Sequence, residues 1–336
     1  MSMEPLVDLS QFASALIIKP SSLGDIVHTL PAVHAIKKAY PHLQLRWLTN
    51  PEWMPLLDGN DDITEVIPFP RKQFRGISSF PLLLSWARQF NAMPRELPEL
   101  ALDFQGLLRS ALLSVARGAE PVIGLSDARE GASKLYRHVV GVNAEDHAVD
   151  RYLQMPRALG VEMRAGEVEF PLPEGKAPDG MVPPKNYILL HPCSRGEGKS
   201  LKHEVIQALC DCLAPHPMVV VGQSEEARTI NGSHVISLVN QTGLLELIWL
   251  IRNARGCISA DSGPMHIASG ITDFTLAIHT WSNPRKVGPY NHRAWVWKAG
   301  RIAHCADHSD DEVAVDQPFE TSDARRMADF ILQEWL

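Results

Sequence analysis

The feature that most constrains the fold of this chain is a strand that runs through a glycine turn into a helix, at residues 257–270 (CISADSGPMHIASG). The apolar residues before Ala260 predict a short strand. Asp261 and Ser262 are both preferred N-cap residues, and Pro264 suits the first helical position, where its missing N–H costs nothing. Such a helix N-terminus leaves backbone N–H groups free for a phosphate or diphosphate. The competing interpretation is a capped junction that binds no ligand.

A second segment of the same kind lies near the start of the chain, at residues 15–38 (ALIIKPSSLGDIVHTLPAVHAIKK). The apolar run from Ala15 to Lys19 predicts a strand, a Ser/Gly turn follows, and a helical pattern begins at Asp25. A chain of 336 residues is long enough to bury two cores. The two segments therefore predict two α/β domains that face each other across a cleft.

Predicted strands alternate with predicted helices in both halves of the chain, which is typical of doubly wound parallel sheets. We expect strands at 15–19, 43–49, 63–69 and 100–103, and again at 186–191, 218–221, 235–239, 257–260 and 275–279. A stretch rich in proline and charge separates the two sets. The predicted organisation is an N-terminal domain at 1–170, a linker at 171–185, a C-terminal domain at 186–320 and a C-terminal helix at 321–336. Packing of that last helix back onto the first domain is one expectation.

Composition excludes several classes of function. The net charge of −7 argues against broad nucleic-acid binding. The five cysteines lack the spacing of a disulfide framework, so reduced thiols are expected. Residues 1–12 contain no basic residue and do not resemble a secretion signal, and no apolar run is long enough for a membrane helix. We expect a cytoplasmic protein, with peripheral contact with a membrane surface as an open alternative.

The sequence predicts no cofactor and no metal. It contains neither Gly-x-Gly-x-x-Gly nor a Walker loop, and no His, Cys or carboxylate group has the spacing of metal ligands. A nucleotide diphosphate would then be neutralised by helix N-termini and basic side chains. Arg195 and Lys199, in the loop after the strand at 186–191, are placed for that role. They fit solvated loop charges equally well.

Asp25 is the best candidate for a general base, because a carboxylate beside a glycine turn can accept the proton of an attacking hydroxyl. The competing interpretation is a residue that caps the helix. The two roles conflict to a degree, since a helix N-terminus favours the ionised form and weakens the base.

Residues 66–95 combine basic and aromatic side chains and contain no acidic residue. Most such stretches are amphipathic helices that bury their apolar side and solvate their charges. The functional alternative is a basic, aromatic surface that contacts an anionic membrane or acceptor.

Several motifs in order along the chain resemble the bacterial lipopolysaccharide heptosyltransferases, glycosyltransferase family 9. They are residues 19–31 (KPSSLGDIVHTLP), 103–110 (DFQGLLRS), 147–153 (HAVDRYL), 261–266 (DSGPMH) and 288–290 (GPY). The N-terminal motif is more similar to the first heptosyltransferase, which acts on Kdo, than to the second.

The resemblance implies a GT-B architecture of two Rossmann-like domains, and inverting, metal-independent transfer. The implied donor is ADP-L-glycero-D-manno-heptose, and the implied acceptor is the anionic Kdo–lipid A inner core at the cytoplasmic face of the inner membrane.

The resemblance also assigns roles to residues. Asp25 matches the family's base. The donor would be bound by the segment Asp261, Ser262, Gly263, Pro264, Met265 and His266, with Lys199 at the diphosphate and Glu225 at the ribose, where Glu226 is nearly as good a candidate. The expected acceptor-binding residues are Ser22, Gly24, Gln105, Arg109 and Arg129.

The chain departs from the family after its last predicted strand, where residues 279–285 read HTWSNPR in place of a glycine-containing turn. Trp281 and Asn283 would lie close to the donor and bear on its sugar or nucleotide. Three alternatives therefore stay open: a related transferase that uses another nucleotide sugar, a UDP-sugar 2-epimerase, and a non-catalytic nucleotide-sugar-binding protein.

Overall fold

The computed structural model describes residues 4–74, 80–163, 168–181, 183–194 and 200–336. The chain forms two compact units, Met1–Pro171 and Leu172–Leu336. Each unit is an α/β fold with its own parallel sheet, so the prediction of two Rossmann-like sheets is confirmed.

The sheet of the first unit has six strands in the order β3-β2-β1-β4-β5-β6 among the described residues. All of its strand pairs are parallel. This order is that of a Rossmann fold, in which the chain reverses direction across the sheet between β1 and β4. The strands are β1 (Ser14–Ile18), β2 (Gln44–Thr49), β3 (Glu65–Pro68), β4 (Glu99–Asp103), β5 (Val122–Leu125) and β6 (His138–Val140).

Helices connect these strands. They are α1 (Leu23–Ala39), α2 (Met54–Leu57), α3 (Phe80–Ala92), α4 (Leu108–Arg117) and α5 (Ala148–Ala158). Helix α1 buries the apolar face that its sequence predicts, Ile26, Leu30, Val33 and Ile36, and it packs against α5. It begins two residues earlier than expected, because Ser22 and not Asp25 is the N-cap.

The second unit repeats the design. Its sheet has seven strands in the order β13-β12-β11-β10-β7-β8-β9 among the described residues, and the direction reverses between β7 and β10. Only the pair formed by β12 and β13 is antiparallel. The strands are β7 (Ile188–His191), β8 (Met218–Val220), β9 (Val235–Ser237), β10 (Gly256–Ala260), β11 (Thr275–His279), β12 (Trp295–Lys298) and β13 (Arg301–Ala303).

The helices of the second unit are α6 (His203–Cys212), α7 (Leu244–Asn253), α8 (Gly263–Ile271), α9 (Pro284–Val287), α10 (Asp310–Ala314) and α11 (Thr321–Glu334). The sequence analysis did not identify β5, β6, β12 and β13. Strands β5 and β6 are too short to show an alternation of apolar and polar residues. Strands β12 and β13 come after the strand at 275–279, which was expected to be the last one of the sheet.

Two sets of contacts bear on the expected domain organisation. Helix α11 packs against α6, and Met327 and Ile331 are buried in the core of the second unit. The expected linker is also anchored on the second unit. Arg252 on α7 donates hydrogen bonds to the carbonyls of Leu172 and Pro173, at 2.7 and 3.1 Å.

Candidate functional site

The carboxyl ends of β1 and β4 meet at the point where the strand order of the first sheet reverses, which is where Rossmann folds bind ligands. β1 leads through Lys19 to the turn before α1, and β4 ends at Asp103 in the turn before α4. The two turns touch, since the Ser21 amide donates to Oε1 of Gln105 at 3.4 Å.

Asp25 lies in the first turn of α1 as the acidic partner of a capping box. Its Oδ2 accepts hydrogen bonds from the Ser22 amide at 2.9 Å and from the Ser22 hydroxyl at 2.7 Å. Its Oδ1 accepts from the Tyr152 hydroxyl at 3.4 Å. The side chain is 41% exposed, so the carboxylate caps the helix and still reaches solvent. The two interpretations of Asp25 are therefore compatible in geometry.

A buried lysine lies next to this carboxylate. Lys19 is 3% exposed, and its Nζ donates to the Phe104 carbonyl at 2.8 Å and to the Tyr152 hydroxyl at 2.7 Å. The distance from Nζ to Oδ1 of Asp25 is 4.0 Å. Burial alone would lower the pKa of Lys19, but its interactions with Tyr152 and Asp25 outweigh burial and raise the pKa. Lys19 is therefore a fixed positive charge at neutral pH.

Asp103 shapes the second turn. Its Oδ1 accepts from the amides of Gln105 and Gly106, at 2.9 and 3.1 Å, and its Oδ2 accepts from the hydroxyls of Ser110 and Tyr136, at 2.7 and 2.8 Å. Burial raises the pKa of Asp103, and these hydrogen bonds oppose that rise. Each carboxylate oxygen of Asp103 thus accepts two hydrogen bonds inside the protein, and Asp103 holds the shape of the loop.

A cavity of about 300 Å³ opens at this edge of the sheet. Three carboxylates, those of Asp25, Asp103 and Asp127, and three cations line it, and Asp127 forms an ion pair with Arg151 at 2.6 Å. The cations are Lys19, Arg129 and Arg151, and Gln105 and Tyr152 are further polar residues of the lining. Such a cavity suits a hydroxyl-bearing ligand, and Arg129 can bind an anionic group on it.

The expected acceptor residues divide into two groups. Gln105 and Arg129 line the cavity, and the Arg129 amide donates to the Gly106 carbonyl at 2.7 Å. Ser22 is tied to Asp25, and Gly24 is buried in the first turn of α1. Arg109 is not among the residues that line the cavity. Arg109 is an exposed residue of α4. Partial burial of its guanidinium and the charge of Arg71 lower its pKa.

In the second unit, β10 leads through Asp261 into α8, as predicted. Ser262 is the N-cap with an extended backbone, but its hydroxyl makes no capping hydrogen bond. It instead donates to the Ala260 carbonyl at 3.1 Å and lies 3.4 Å from Nδ1 of His191, at the end of β7. Pro264 is in the first turn of α8. This turn therefore joins both sides of the reversal point in the second sheet.

Asp261 is held by the loop after β11. The Ser282 hydroxyl donates to Oδ2 of Asp261 at 2.6 Å and lies 2.7 Å from Nδ1 of His279. The Ser194 hydroxyl donates to the Asp261 carbonyl at 2.6 Å. Asp261 is thus oriented by two loops, and Met265 and His266 follow it as buried residues of α8.

The loop after β8 approaches the same edge of the sheet. A Cβ at Gly222, where φ is +125°, would lie 2.8 Å from Sγ of Cys193, so a side chain does not fit there. Glu225 is exposed three residues further on. In a Rossmann fold the acidic residue after the second strand contacts a ribose hydroxyl, and β8 is the second strand of this unit.

The loop in which the sequence departs from the family has two distinct parts. Asn283 caps α9, with Oδ1 accepting from the Arg285 amide at 2.9 Å. Trp281 is 46% exposed, next to the Ser282 hydroxyl that holds Asp261. Arg195 and Lys199, expected at the diphosphate, lie outside the described residues.

Several residues of the two sites were not found from the sequence. Lys19 and Tyr152 belong to motifs that the resemblance uses, but nothing in their spacing shows that they converge on Asp25. The sequence does carry one sign of the role of Lys19, because this lysine follows directly on a predicted apolar strand. His191 gives a similar signal at the end of β7.

Two Rossmann-type sheets, one with an exposed carboxylate at its reversal point and one with a helix N-terminus suited to a diphosphate, define a glycosyltransferase of the GT-B class. The chain belongs to glycosyltransferase family 9 (heptosyltransferase), whose model matches residues 88–313. It is an enzyme of that class.

Curated relatives match most of the chain. Lipopolysaccharide heptosyltransferase 1 of Pseudomonas aeruginosa is 28% identical over 298 residues, which cover 82% of this chain and 81% of that protein. A lipopolysaccharide core heptosyltransferase of Haemophilus influenzae is 24% identical, with 83% of this chain and 82% of the relative covered. Lipopolysaccharide heptosyltransferase 1 of Escherichia coli K12 is 23% identical, with 85% and 93% covered.

Solved structures agree on the fold. The E. coli heptosyltransferase WaaC with ADP matches at a TM-score of 0.75 and 20% identity, with 95% of this chain and 99% of that chain covered. The E. coli ADP-heptose heptosyltransferase II matches at a TM-score of 0.72 and 18% identity, with 96% and 99% covered.

No helix within the described part of the chain is long and apolar enough to cross a membrane.

Proposed function

We propose that this enzyme transfers L-glycero-D-manno-heptose from ADP-heptose to the Kdo–lipid A inner core of lipopolysaccharide, with inversion at the anomeric carbon. The observation that carries the proposal is the partly exposed carboxylate of Asp25, beside Lys19 in a cavity that Arg129 also lines, at the first reversal point. Relatives over most of the chain are lipopolysaccharide heptosyltransferases, which supports the same donor and acceptor.

Inversion requires a single displacement. The acceptor hydroxyl attacks the anomeric carbon, its proton passes to Oδ1 of Asp25, and the bond from the anomeric carbon to the diphosphate oxygen breaks. ADP leaves with the electron pair of that bond. Oδ1 is the suitable atom, because Oδ2 already accepts two hydrogen bonds from Ser22.

The environment of Asp25 favours its ionised form. Hydrogen bonds from Ser22 and Tyr152, the nearby Lys19 charge and the α1 N-terminus all stabilise the carboxylate. Asp25 is therefore ready to accept a proton at neutral pH, although it is a weak base. A weak base suffices where the transition state has oxocarbenium character, since most of the charge then develops on the sugar and the leaving diphosphate.

The donor diphosphate is assigned to the N-terminus of α8, where backbone N–H groups after Ser262 stabilise the negative charge that develops on the leaving group. Asp261 is placed to accept hydrogen bonds from sugar hydroxyls, and Glu225 from the ribose. Lys199 keeps the role that the family resemblance implies.

The acceptor is assigned to the cavity of the first unit. Arg129 lines it and forms no ion pair with the described residues, whereas Arg151 is paired with Asp127. A carboxylate such as that of Kdo matches this positive charge, and Gln105 offers both a donor and an acceptor for its hydroxyls.

We further infer that an apolar surface on the first unit contacts the membrane that holds the acceptor. Leu108, Leu112 and Val115 lie on one face of α4 and are 39%, 50% and 49% exposed. Leu82 and Leu84 of the adjoining helix α3 are 47% and 42% exposed. Two aromatic residues of the basic stretch do not belong to this apolar surface. Trp86 and Phe90 stack on each other and pack against the core of the first unit.

Charge around this surface matches an anionic membrane. Arg109 follows Leu108 on α4, and its charge interacts with that of Arg71. Lys72 and Arg95 contribute less, because they form ion pairs with Glu52 and Glu99 at 2.6 and 3.2 Å. Leu112→Asp should weaken binding to vesicles that contain anionic lipid, and Val315→Asp, at an exposed site of the second unit, is the matched control. Equal binding of both variants would reject this contact.

The donor is tested by calorimetric titration of the protein with ADP, UDP, GDP and CDP, first without metal and then with magnesium. A preference for ADP without metal is the expected result. A preference for UDP would indicate another sugar transferase or a UDP-sugar epimerase, and it would direct attention to Trp281.

The acceptor is tested by incubation with ADP-heptose and Kdo–lipid A, with the product and its anomeric configuration read by mass spectrometry and NMR. A heptosylated product of inverted configuration is expected. Donor binding without any product would instead support a non-catalytic nucleotide-sugar-binding protein.

A further inference from the structure

Lys298 is a buried charge that the proposed mechanism does not use. The residue is fully buried, at 0% exposure, and its Nζ has no hydrogen-bond partner among the described residues. A buried ammonium without such a partner is strongly unfavourable, and a protein retains it where its charge acts on something nearby. Lys298 is the last residue of β12.

The register of the sheet shows where the side chain points. Lys298 pairs with His279 of β11, and two residues earlier Val296 pairs with Ala277. Val296 and Ala277 pack against Met265 of α8, so this face of the sheet is the one that α8 covers. Side chains alternate along a strand, and Lys298 therefore projects to the same face.

Lys298 also lies at the carboxyl edge of the sheet, level with the donor turn. His279, its partner in register, contacts the Ser282 hydroxyl that donates to Asp261. Burial lowers the pKa of Lys298, while the carboxylates of Asp316 and Asp261 raise it. Ala260 pairs with Ile278 and His279 pairs with Lys298, so Asp261, the residue after Ala260, is level with Lys298 two strands away, on the same face of the sheet.

The negative charge of Asp261 creates a problem for the donor. A nucleoside diphosphate brings further negative charge to the N-terminus of α8, immediately after Asp261 in the chain. Like charges that share a site of low dielectric constant repel each other strongly unless a cation compensates them.

We propose that Lys298 is a positioning residue of the donor site, which neutralises Asp261 from the buried side so that the turn accepts an anionic nucleotide. It acts through Asp261 and needs no contact with the donor. This inference rests on the proposed function, because it takes a nucleoside diphosphate as the ligand of this turn.

The experiment compares wild type with Lys298→Met by calorimetric titration with ADP and with adenosine. Methionine keeps the length of the side chain and suits a buried site. We expect the affinity for ADP to fall by about tenfold and that for adenosine to change by less than about twofold. Lys185→Met, at an exposed site before the amino end of β7, is the matched control and should bind both ligands like wild type.

A second variant keeps the test decisive if Lys298→Met folds poorly. Lys298→Met/Asp261→Asn removes both charges and leaves the buried side neutral. We expect it to fold and to regain most of the affinity for ADP, which lacks the sugar that Asp261 is assigned to bind.

Three outcomes would overturn the inference: unchanged affinity for ADP in Lys298→Met, equal losses for ADP and adenosine, or a double variant that binds ADP no better than the single one. Failure of the wild-type protein to bind any nucleoside diphosphate is a different result, since it would reject the proposed function.

Discussion

The Nζ atom of Lys19 lies 4.0 Å from Oδ1 of Asp25, and the Tyr152 hydroxyl joins the two, at 2.7 Å from Nζ and 3.4 Å from Oδ1. Lys19 directly follows β1, Asp25 lies in the first turn of α1 and Tyr152 comes from α5, so three elements of the first unit meet in one contact. The lysine and the tyrosine are buried, whereas the carboxylate is partly exposed. The arrangement holds the carboxylate beside a buried positive charge at the surface of the unit.

Asp25→Asn should abolish transfer without unfolding the protein. Asparagine can still accept the hydrogen bond from the Ser22 amide, so the first turn of α1 stays capped. Loss of a general base lowers turnover by about 10²–10⁴-fold. Turnover is measured with ADP-heptose and Kdo–lipid A, and donor binding by calorimetry. Donor affinity should be retained, and wild-type turnover would show that Asp25 only caps the helix.

Tyr152→Phe should lower both stability and turnover. The change removes the hydroxyl that joins Lys19 to Asp25 and costs about 1–2 kcal/mol in the free energy of unfolding. Tyr187→Phe is the matched control, because its buried hydroxyl donates to the Leu250 carbonyl at 2.6 Å in the second unit. Urea unfolding should show similar losses for the two variants. Turnover should fall about tenfold or more in Tyr152→Phe alone; equal turnover in the two would contradict a role for the bridge.

Arg129→Gln should raise the KM for the acceptor more than Arg109→Gln does. Both arginines are exposed, but only Arg129 lines the cavity that contains Asp25. Loss of a charge-assisted contact to a carboxylate is expected to raise KM about tenfold. The assay uses a water-soluble Kdo acceptor, so that any membrane contact through Arg109 does not affect the comparison. A larger effect at Arg109 would place the acceptor elsewhere.

Gly222→Ala should destabilise the second unit by about 2 kcal/mol. The added Cβ would lie 2.8 Å from Sγ of Cys193 and 3.2 Å from Nε2 of His191, at a φ of +125°. Gly180→Ala is the control, because φ is +71° there but nothing lies within 4 Å of the new Cβ. It should lose only about 1 kcal/mol. Similar midpoints in urea for the two variants would show that the close approach at Gly222 is relieved at little cost.

Stability should fall in acid because of His191. Burial lowers the pKa of His191 to about 4, below the unfolded value of about 6.5. As the pH falls below 6.5, the unfolded chain binds a proton that the folded protein does not, so this contribution to stability is complete above 6.5 and is lost toward pH 4. The loss approaches about 3 kcal/mol. His191→Gln should show a correspondingly smaller decrease between pH 6.5 and 4 in urea unfolding; an identical decrease would exclude His191 as its source.

Most of the secondary structure at the two sites could be predicted from local pattern. The strand before Lys19, the turn after it and the apolar face of α1 are all encoded in neighbouring residues, as are β10 and the start of α8. The short strands β5 and β12 carry no such pattern, because their place in the sheet is decided by the strands beside them.

The candidate site was predictable in part for the same reason. Asp25 and the turn at Asp261 follow strands directly, and the carboxyl ends of parallel strands are known places for ligands. A shared motif does not give a shared place, since Gln105 lines the cavity and Arg109, four residues later, is not among the residues that line it.

The sequence by itself determined the family, the two Rossmann-type sheets and the turns that carry Asp25 and Asp261, because each depends on residues that are neighbours in the chain. Only the tertiary structure decided which charges surround those turns. Lys19 and Tyr152 reach Asp25 through contacts between elements far apart in sequence, and burial gives those contacts their strength. Strand register and helix packing bring them together, and neither is visible in a local pattern.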